Sequence, residues 1–344
     1  MLRTLKGLDE VDLSILEALV LQPRASWSLI GSVLEMSPST ASRRWEAMRE
    51  SGIAWMSCYP GADFPHRTHT FEVVVRCAPE RIASIAAALA QHPVVMSLVI
   101  VSGDWDLQLT CMIVDGTRVQ DFLLEDIWDT PGIVRRKASV ATELFAEGRD
   151  WKLGALSAQE SQLLRKTPRG GAASPEPGEL QLGIMSYLQE DPRMKALHIA
   201  DRLGASVATV SRHIEQLISG GQLVLRTEVS SRVEDWPISV GMYVDVPAAA
   251  LGRAGRLLAG LANCRLSMSV LAPGWNLASV HWLRTHGEVH EIERRLQEEI
   301  PQARVVTRSF RLTEVKRAGW LLDEQMAPTS RVPMRLSSGA LALD

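Results

Sequence analysis

The sequence predicts an α+β protein written twice: two winged-type, three-helix helix-turn-helix domains and two ferredoxin-like βαββαβ domains in a tandem repeat. Three observations predict it. A self-match runs through the chain, short amphipathic helices carry cap residues at the right spacing, and each helical stretch is followed by strands and helices in the order βαββαβ. Self-similarity at a fixed period decides architecture before any single element does. A shift of 169 residues lays Ile15, Leu16 and Leu19 on Ile184, Met185 and Leu188, and Pro23-Arg24 on Pro192-Arg193. The same shift lays Ser37, Thr40, Ser42, Arg43 and Gly52 on Ser206, Thr209, Ser211, Arg212 and Gly221. Further on, a shift of 170 brings Trp105-Asp106-Leu107 onto Trp275-Asn276-Leu277 and Pro131 onto Pro301, and Trp151 meets Trp320 at 169 again.

In the first helical stretch Leu8, Ile15, Leu16 and Leu19 keep helical spacing, with Asp9 as cap and Pro23-Arg24 as stop. Ser26 caps a second helix with Ile30, Val33 and Leu34 on its apolar face. Ser37-Pro38 supplies cap and first-turn proline for a third, which buries Ala41, Trp45 and Met48 and ends at Gly52. After the strand-like GIAWMSCY, the order is strand (HTFEVVVRC), helix from Pro79, two strands around Gly103-Asp104, helix (TRVQDFLLEDIWDT) and strand (GIVRRKASVATELF). The second copy repeats it, with helices from about 248 to 261 and 287 to 299. Such an antiparallel sheet has both helices on one face, so its other face needs a partner, and two sheets in one chain can face each other.

The expected domains are residues 1–60 (helix-turn-helix), 61–155 (ferredoxin-like), 156–178 (linker), 179–230 (helix-turn-helix), 231–324 (ferredoxin-like) and 325–344 (flexible tail). The linker assignment rests on the Pro/Gly/Ala/Ser-rich stretch from Lys166 to Glu179. A net charge of −3 with 46% hydrophobic residues fits folded domains and leaves nucleic-acid binding to local basic clusters. The chain shows no long apolar run and begins without a signal-type segment, so a cytoplasmic location is expected. Cys58, Cys77, Cys111 and Cys264 are scattered through apolar runs and read as reduced, buried thiols. His281, His286 and His290 have no cysteine or carboxylate constellation beside them and read as satisfied or surface histidines. Neither a metal nor a cofactor is expected.

Three helices whose last pair is joined by a tight turn suit major-groove reading by the N-terminal half of the third helix. Hydroxyls suit phosphate oxygens, and arginine reaches guanine or phosphate. The candidate contacts to double-stranded DNA are therefore Ser37, Ser39, Thr40, Ser42, Arg43 and Arg44, with Ser206, Thr209, Ser211, Arg212 and His213 in the second copy. The alternative is a solvated basic helix face without a partner. With Arg44 set against His213, the first helix is expected to grip DNA more firmly.

The chain resembles the Lrp/AsnC, or feast/famine, family of transcriptional regulators. The resemblance is carried by LDEVDLSIL at Leu8–Leu16, Arg24, SPSTASRRWEAMRESGI at Ser37–Ile53, HPVV at His92–Val95, SGDWDL at Ser102–Leu107 and PGIV at Pro131–Val134. It implies a helix-turn-helix ahead of a ferredoxin-like effector and dimerisation domain (the RAM or AsnC type), here fused in tandem. It also implies a small-molecule effector, an amino acid or related metabolite, and further assembly through the sheets into a homo-oligomer, dimer or higher. The implied effector contacts are Ser102, Gly103, Asp104, Trp105 and Asp106, with Gly274, Trp275 and Asn276 in the second copy. A plain hairpin turn is the alternative for these loops. The second copy departs from the pattern, with Gln181 where an acid is usual, Asn276 for aspartate and Pro301-Gln302 for Pro-Gly, departures that point to divergence or loss of its effector site. Siroheme decarboxylases are similar in architecture. Acidic Asp104 and Asp106 would repel a polycarboxylate tetrapyrrole, so the sequence is read as a regulator and not as an enzyme.

Overall fold

The computed structural model describes residues 8–61, 64, 68–114, 122–127, 129–148, 153–165, 176–230 and 237–336. The first head holds α1 (Glu10–Leu21), α2 (Trp27–Val33) and α3 (Pro38–Glu50), followed by β1 (Ala54–Pro60). The first sheet domain holds β2 (His69–Cys77), α4 (Ile82–Ala90), β3 (Val95–Val101), β4 (Leu107–Ile113) and β5 (Ile133–Ala146). Of the helix expected over TRVQDFLLEDIWDT, residues 122–126 form a π-helical turn, and 117–121 and 128 lie outside the described residues. Then come α5 (Ala158–Leu164) and the second head, α6 (Glu179–Glu190), α7 (Ala196–Leu203), α8 (Val207–Ser219) and β6 (Leu223–Val229). The second sheet domain is β7 (Ile238–Asp245), α9 (Leu251–Ala259), β8 (Cys264–Leu271), β9 (Leu277–Leu283), α10 (Glu288–Glu299) and β10 (Arg304–Arg317). A hairpin of β11 (Trp320–Leu322) and β12 (Pro328–Arg331) closes the described chain.

The caps form as the sequence dictates. Asp9, Ser26, Ser37 and Ser206 each accept a hydrogen bond from a backbone N–H of the first turn they precede. The four cysteines are free and buried.

The two sheets do not remain separate. β5 and β10 are 14 residues long, roughly 45 Å at the rise of a strand, and each outruns its own sheet. The start of β5 pairs with β2 and its end with β8, while the start of β10 pairs with β7 and its end with β3. The result is a closed antiparallel ring of eight strands, β10-β3-β4-β2-β5-β8-β9-β7 and back to β10. Alternate residues divide the ring into two faces. Val73, Val75, Leu107 and Leu109 pack outward on α4, and Met242, Val244, Leu258 and Leu296 form the matching outer core of the second copy. The intervening residues point into the ring, where Glu72, Gln108 and Tyr243 form a buried polar cluster. Assembly through free sheets was expected between chains; here both inner faces and the edges of β3, β5, β8 and β10 are taken up within one chain.

Two further differences concern segments read as connectors. The linker opens with α5, capped by Ser157, whose Leu164 is buried in the first head's core. The tail contributes β12, and Met334 is buried with its N–H and C=O both bonded to the Gln189 side chain; residues 337–344 lie outside the described residues.

Candidate functional site

β1 and β6 pair with each other, Ala54 opposite Val229 and Pro60 opposite Leu223, to form a two-stranded ribbon between the heads and the ring. Its head-facing side is apolar and crossed. Ala54 and Met56 of β1 and Val229 of β6 enter the first head's core, whereas Cys58, Leu223 and Leu225 enter the second's. The other edge of β1 is covered by side-chain donors of the terminal hairpin, Trp320 Nε1 to the Met56 carbonyl at 2.9 Å and Arg331 Nη2 to that of Cys58 at 3.0 Å.

The heads also clasp each other directly. Arg24 donates to the carbonyls of Pro192 and Met194 at 2.6 and 2.9 Å, and Arg193 returns the contact to Pro23 and Ala25 at 2.6 and 2.8 Å. Arg193 also lies 4.3 Å over the Trp27 ring. Burial lowers both guanidinium pKa values, that of Arg193 to about 10. In the sequence these arginines stood out as a repeated helix stop, and Arg24 also as part of the family resemblance, but not as a contact between the heads.

On the recognition helices Ser37, Ser39 and Arg43 are exposed, as are Ser206 and Arg212, and Thr40, Ser42, Thr209, Ser211 and His213 are half-buried. The Ser37 hydroxyl accepts from the Thr40 N–H at 3.1 Å, and Ser206 does the same for Thr209. Arg44 is different. Its guanidinium bonds to Asp9 at 2.9 Å and Asp12 at 2.8 Å, tying α3 to the start of α1. Those hydrogen bonds, Asp12's first, raise the Arg44 pKa.

The two loops read as effector contacts sit at matching corners of the ring, and Trp105 and Trp275 join one apolar cluster. Gly103 and Gly274 make the turns with φ of +111° and +87°, where a side chain would be strained. Asp106 accepts from the Cys77 N–H at 2.8 Å. Asn276 makes the equivalent contact at Val246, accepting from its N–H at 2.9 Å and donating to its carbonyl at 2.7 Å. Ser102 donates its N–H to the Phe310 carbonyl at 2.8 Å and accepts the Phe310 N–H at 3.2 Å. Asp104 is exposed. Arg135 stacks on Trp105, while the Lys137 ammonium lies 2.8 Å from the centre of the Trp275 ring. The void among Trp105, Asp104, Tyr243 and Arg308 measures about 10 Å³, room for a single water.

A much larger space lies inside the ring, a chamber of about 320 Å³ whose lining includes Tyr59, Val224 and Arg226 of the ribbon. Its walls combine the apolar Met96, Met112, Met268 and Trp282 with the cations Arg265, Arg311, Lys316 and Arg317. Arg226 lies 2.8 Å from Glu228; burial works against its charge, but Glu228, Tyr59 and Glu147 together raise its pKa above the ordinary value. Glu314 serves both Arg311, at 3.7 Å, and Arg317. Lys316 is fully buried and donates to the His92 carbonyl at 3.0 Å. Burial lowers Lys316 to about 8 and Arg317 to about 9. None of these chamber residues was singled out in the sequence, because they alternate with core residues on strands whose closure into a ring no local pattern records.

His281 is buried on β9, 3.1 Å from the Ser279 hydroxyl, and burial lowers it to about 4. His286 and His290 are exposed, and no group of three metal-ligating side chains stands together among the described residues. No helix among them is long and apolar enough to cross a membrane.

Comparison with known proteins places three family profiles on the chain: an AsnC-type helix-turn-helix domain at residues 8–49, an Lrp/AsnC ligand binding domain at 70–151, and a winged helix-turn-helix DNA-binding domain at 179–224. No curated protein sequence matches. Among solved structures, the siroheme decarboxylase NirDL superposes with a TM-score of 0.62 at 13% identity, covering 93% of this chain and 96% of that one. NirDL in co-complex with an iron-uroporphyrin III analogue gives 0.58 at 14% identity, covering 90% and 93%. A Neisseria meningitidis transcriptional regulator in complex with L-Met is 22% identical over 40% of this chain and 91% of its own, with a TM-score of 0.34. The expectation that the chain is not an enzyme is corrected here. At 13% identity the NirDL likeness is one of fold, yet it spans both copies, and the whole architecture occurs in an enzyme. The acidic loop used to exclude an enzyme stands apart from the chamber, and Asp106 is turned to the Cys77 backbone.

Proposed function

We propose that the chain is a tandem form of the Lrp/AsnC type, whose helix-turn-helix and ligand-binding profiles match its first half, and that it is a sequence-specific DNA-binding regulator whose affinity for DNA responds to a small metabolite. Work on chromosomal DNA would place it in the cytoplasm. The proposed DNA contacts are Ser37, Ser39, Thr40, Ser42 and Arg43 on one head and Ser206, Thr209, Ser211 and Arg212 on the other. The observation that carries the reading is the joining of the two heads. The β1–β6 ribbon and the Arg24/Arg193 clasp hold two recognition helices in one body, as paired half-sites on a duplex require. The loop residues Ser102, Asp106 and Asn276 hold backbone, so room for a metabolite lies in the chamber rather than at the loops.

The test is selection of a duplex from a random library, followed by fluorescence anisotropy. Arg43→Ala combined with Arg212→Ala should weaken binding by about 1–3 kcal/mol and flatten the salt dependence. Unchanged affinity at matched salt would sink the reading. A second reading, chemistry on a polycarboxylate tetrapyrrole, is supported by the likeness to NirDL along the whole chain and by the cations in the chamber. Porphyrin-type absorbance in the purified protein and loss of carboxyl groups from added siroheme would establish it.

A further inference from the structure

The chamber's charges are unevenly compensated. On the ribbon side Arg226 faces Glu228, with Glu147 close by and itself bonded to the Tyr59 hydroxyl at 2.9 Å. On β10, Glu314 pairs with Arg311 and Arg317, which Glu72 and Glu228 also compensate, whereas Lys316 donates to the His92 carbonyl and has no carboxylate within ion-pair distance among the described residues. The rest of the wall is mixed, with the apolar Met112 from β4 and the Trp282 ring from β9 beside the uncharged polar Ser97, Gln108 and Thr110. A volume of about 320 Å³ falls at the small end of the roughly 300–1,000 Å³ of ligand pockets. Arg317 reaches beyond the chamber: it donates to the Val229 carbonyl of the ribbon at 2.8 Å and lies 5.4 Å from the Trp55 ring on β1.

We propose that the chamber binds a compact carboxylate with an apolar body, its carboxylate against Arg311, Lys316 and Arg317, and that its occupancy reaches the heads through Arg317 and the β1–β6 ribbon. The binding stands on the chamber alone; the effect on the heads rests on the regulator reading. A carboxylate here supplies the counter-charge that Lys316 lacks, with Arg311 and Arg317 beside it, and the apolar part of the wall takes the remainder. Burial lowers the pKa of all three β10 cations, as expected where compensation is incomplete.

The experiment titrates the full-length protein with phthalate and benzoate, and with benzylammonium as the charge-reversed control, following the thermal unfolding midpoint. Both carboxylates should raise the midpoint saturably and benzylammonium should not. Lys316→Met, which keeps length and apolarity at a buried position, should bind phthalate at least tenfold more weakly. The wild-type contrast between phthalate and benzylammonium decides the matter if that variant does not fold. Absence of a carboxylate-specific saturable shift, equal binding by Lys316→Met, or saturable binding of uroporphyrin alone would each overturn the proposal. DNA affinity measured with and without phthalate separates the two layers. Binding of phthalate without any change in DNA affinity overturns the coupling, whereas a chain that binds phthalate but no DNA overturns the regulator reading and leaves the ligand site standing.

Discussion

In the first head an arginine near the middle of the recognition helix is held by two carboxylates at the start of α1; in the second head all three partners are gone. Asp9, Asp12 and Arg44 correspond to Gly178, Gln181 and His213. A lone change of Arg44 to histidine would read as a weakened DNA contact. The joint loss of the acids gives the difference another basis: Arg44 belongs to a clamp between helices, and His213 stands where that clamp was not kept. The loops show the same relation. Asp106 and Asn276 differ in charge, yet both hold the backbone of the strand end beside them. Contrast between duplicated copies thus separates residues that hold the fold from those left to face a partner, and Arg43 with Arg212 are cations exposed in both heads.

The comparison breaks most visibly where the heads meet. Arg24→Ala and Arg193→Ala each remove two hydrogen bonds from a guanidinium to backbone carbonyls, and each should cost about 3 kcal/mol in urea unfolding. Near equality of the two losses is the mark of a reciprocal clasp; a loss confined to one of them would break the symmetry. Next come the loops. Asn276→Asp places a carboxylate oxygen against the Val246 carbonyl and removes the donor, and should cost about 2 kcal/mol. Asp106→Asn retains an acceptor for the Cys77 N–H and should cost well under that. Equal effects would show that the two loops are not built alike.

Much of this was legible in the sequence. The caps Asp9, Ser37 and Ser206, the turn glycines Gly103 and Gly274 and the order βαββαβ are local signals, set by backbone geometry and by short-range hydrogen bonds. The ribbon and the ring were not. GIAWMSCY reads as a strand, but its partner LVLRTEV lies some 170 residues away, and nothing in either says that they pair. Nor does β5 announce that Val140 leaves one sheet for the next, where it stands opposite Leu271. The chamber follows from that closure, so Lys316 and Arg317 look like surface cations in sequence and are buried in the fold.

The Arg44 clamp has a sign in pH. Hydrogen bonding from the Asp12 backbone, and after it the Arg44 side chain, lower the Asp9 pKa below its usual 3.8. A carboxylate lowered in the folded state contributes stability above its unfolded value that is lost as pH falls through the folded one. Arg44→Ala should therefore cost up to about 1 kcal/mol at neutral pH, less in high salt, and the difference from wild type should shrink below pH 4. DNA affinity at matched salt should change less than it does for Arg43→Ala; an equal or larger fall would return Arg44 to the DNA interface.

The smallest expected effect rebuilds the clamp where it is missing. His213→Arg alone adds a cation to α8 with no acid at Gly178 or Gln181, the positions that match Asp9 and Asp12, to receive it, and should leave stability nearly unchanged. Gln181→Asp alone adds an acid to the first turn of α6, where the helix dipole favours it by a few tenths of a kcal/mol, but it also gives up the Gln181 contact to the Gly178 N–H. Combined, the two should exceed the sum of the single effects by about 0.5 kcal/mol, the coupling of a partly exposed ion pair. The coupling should fade in 1 M salt. A double variant that is merely additive would mean that the first head's clamp depends on Asp9 as well as Asp12, and that Gly178 is the change by which the second head lost it.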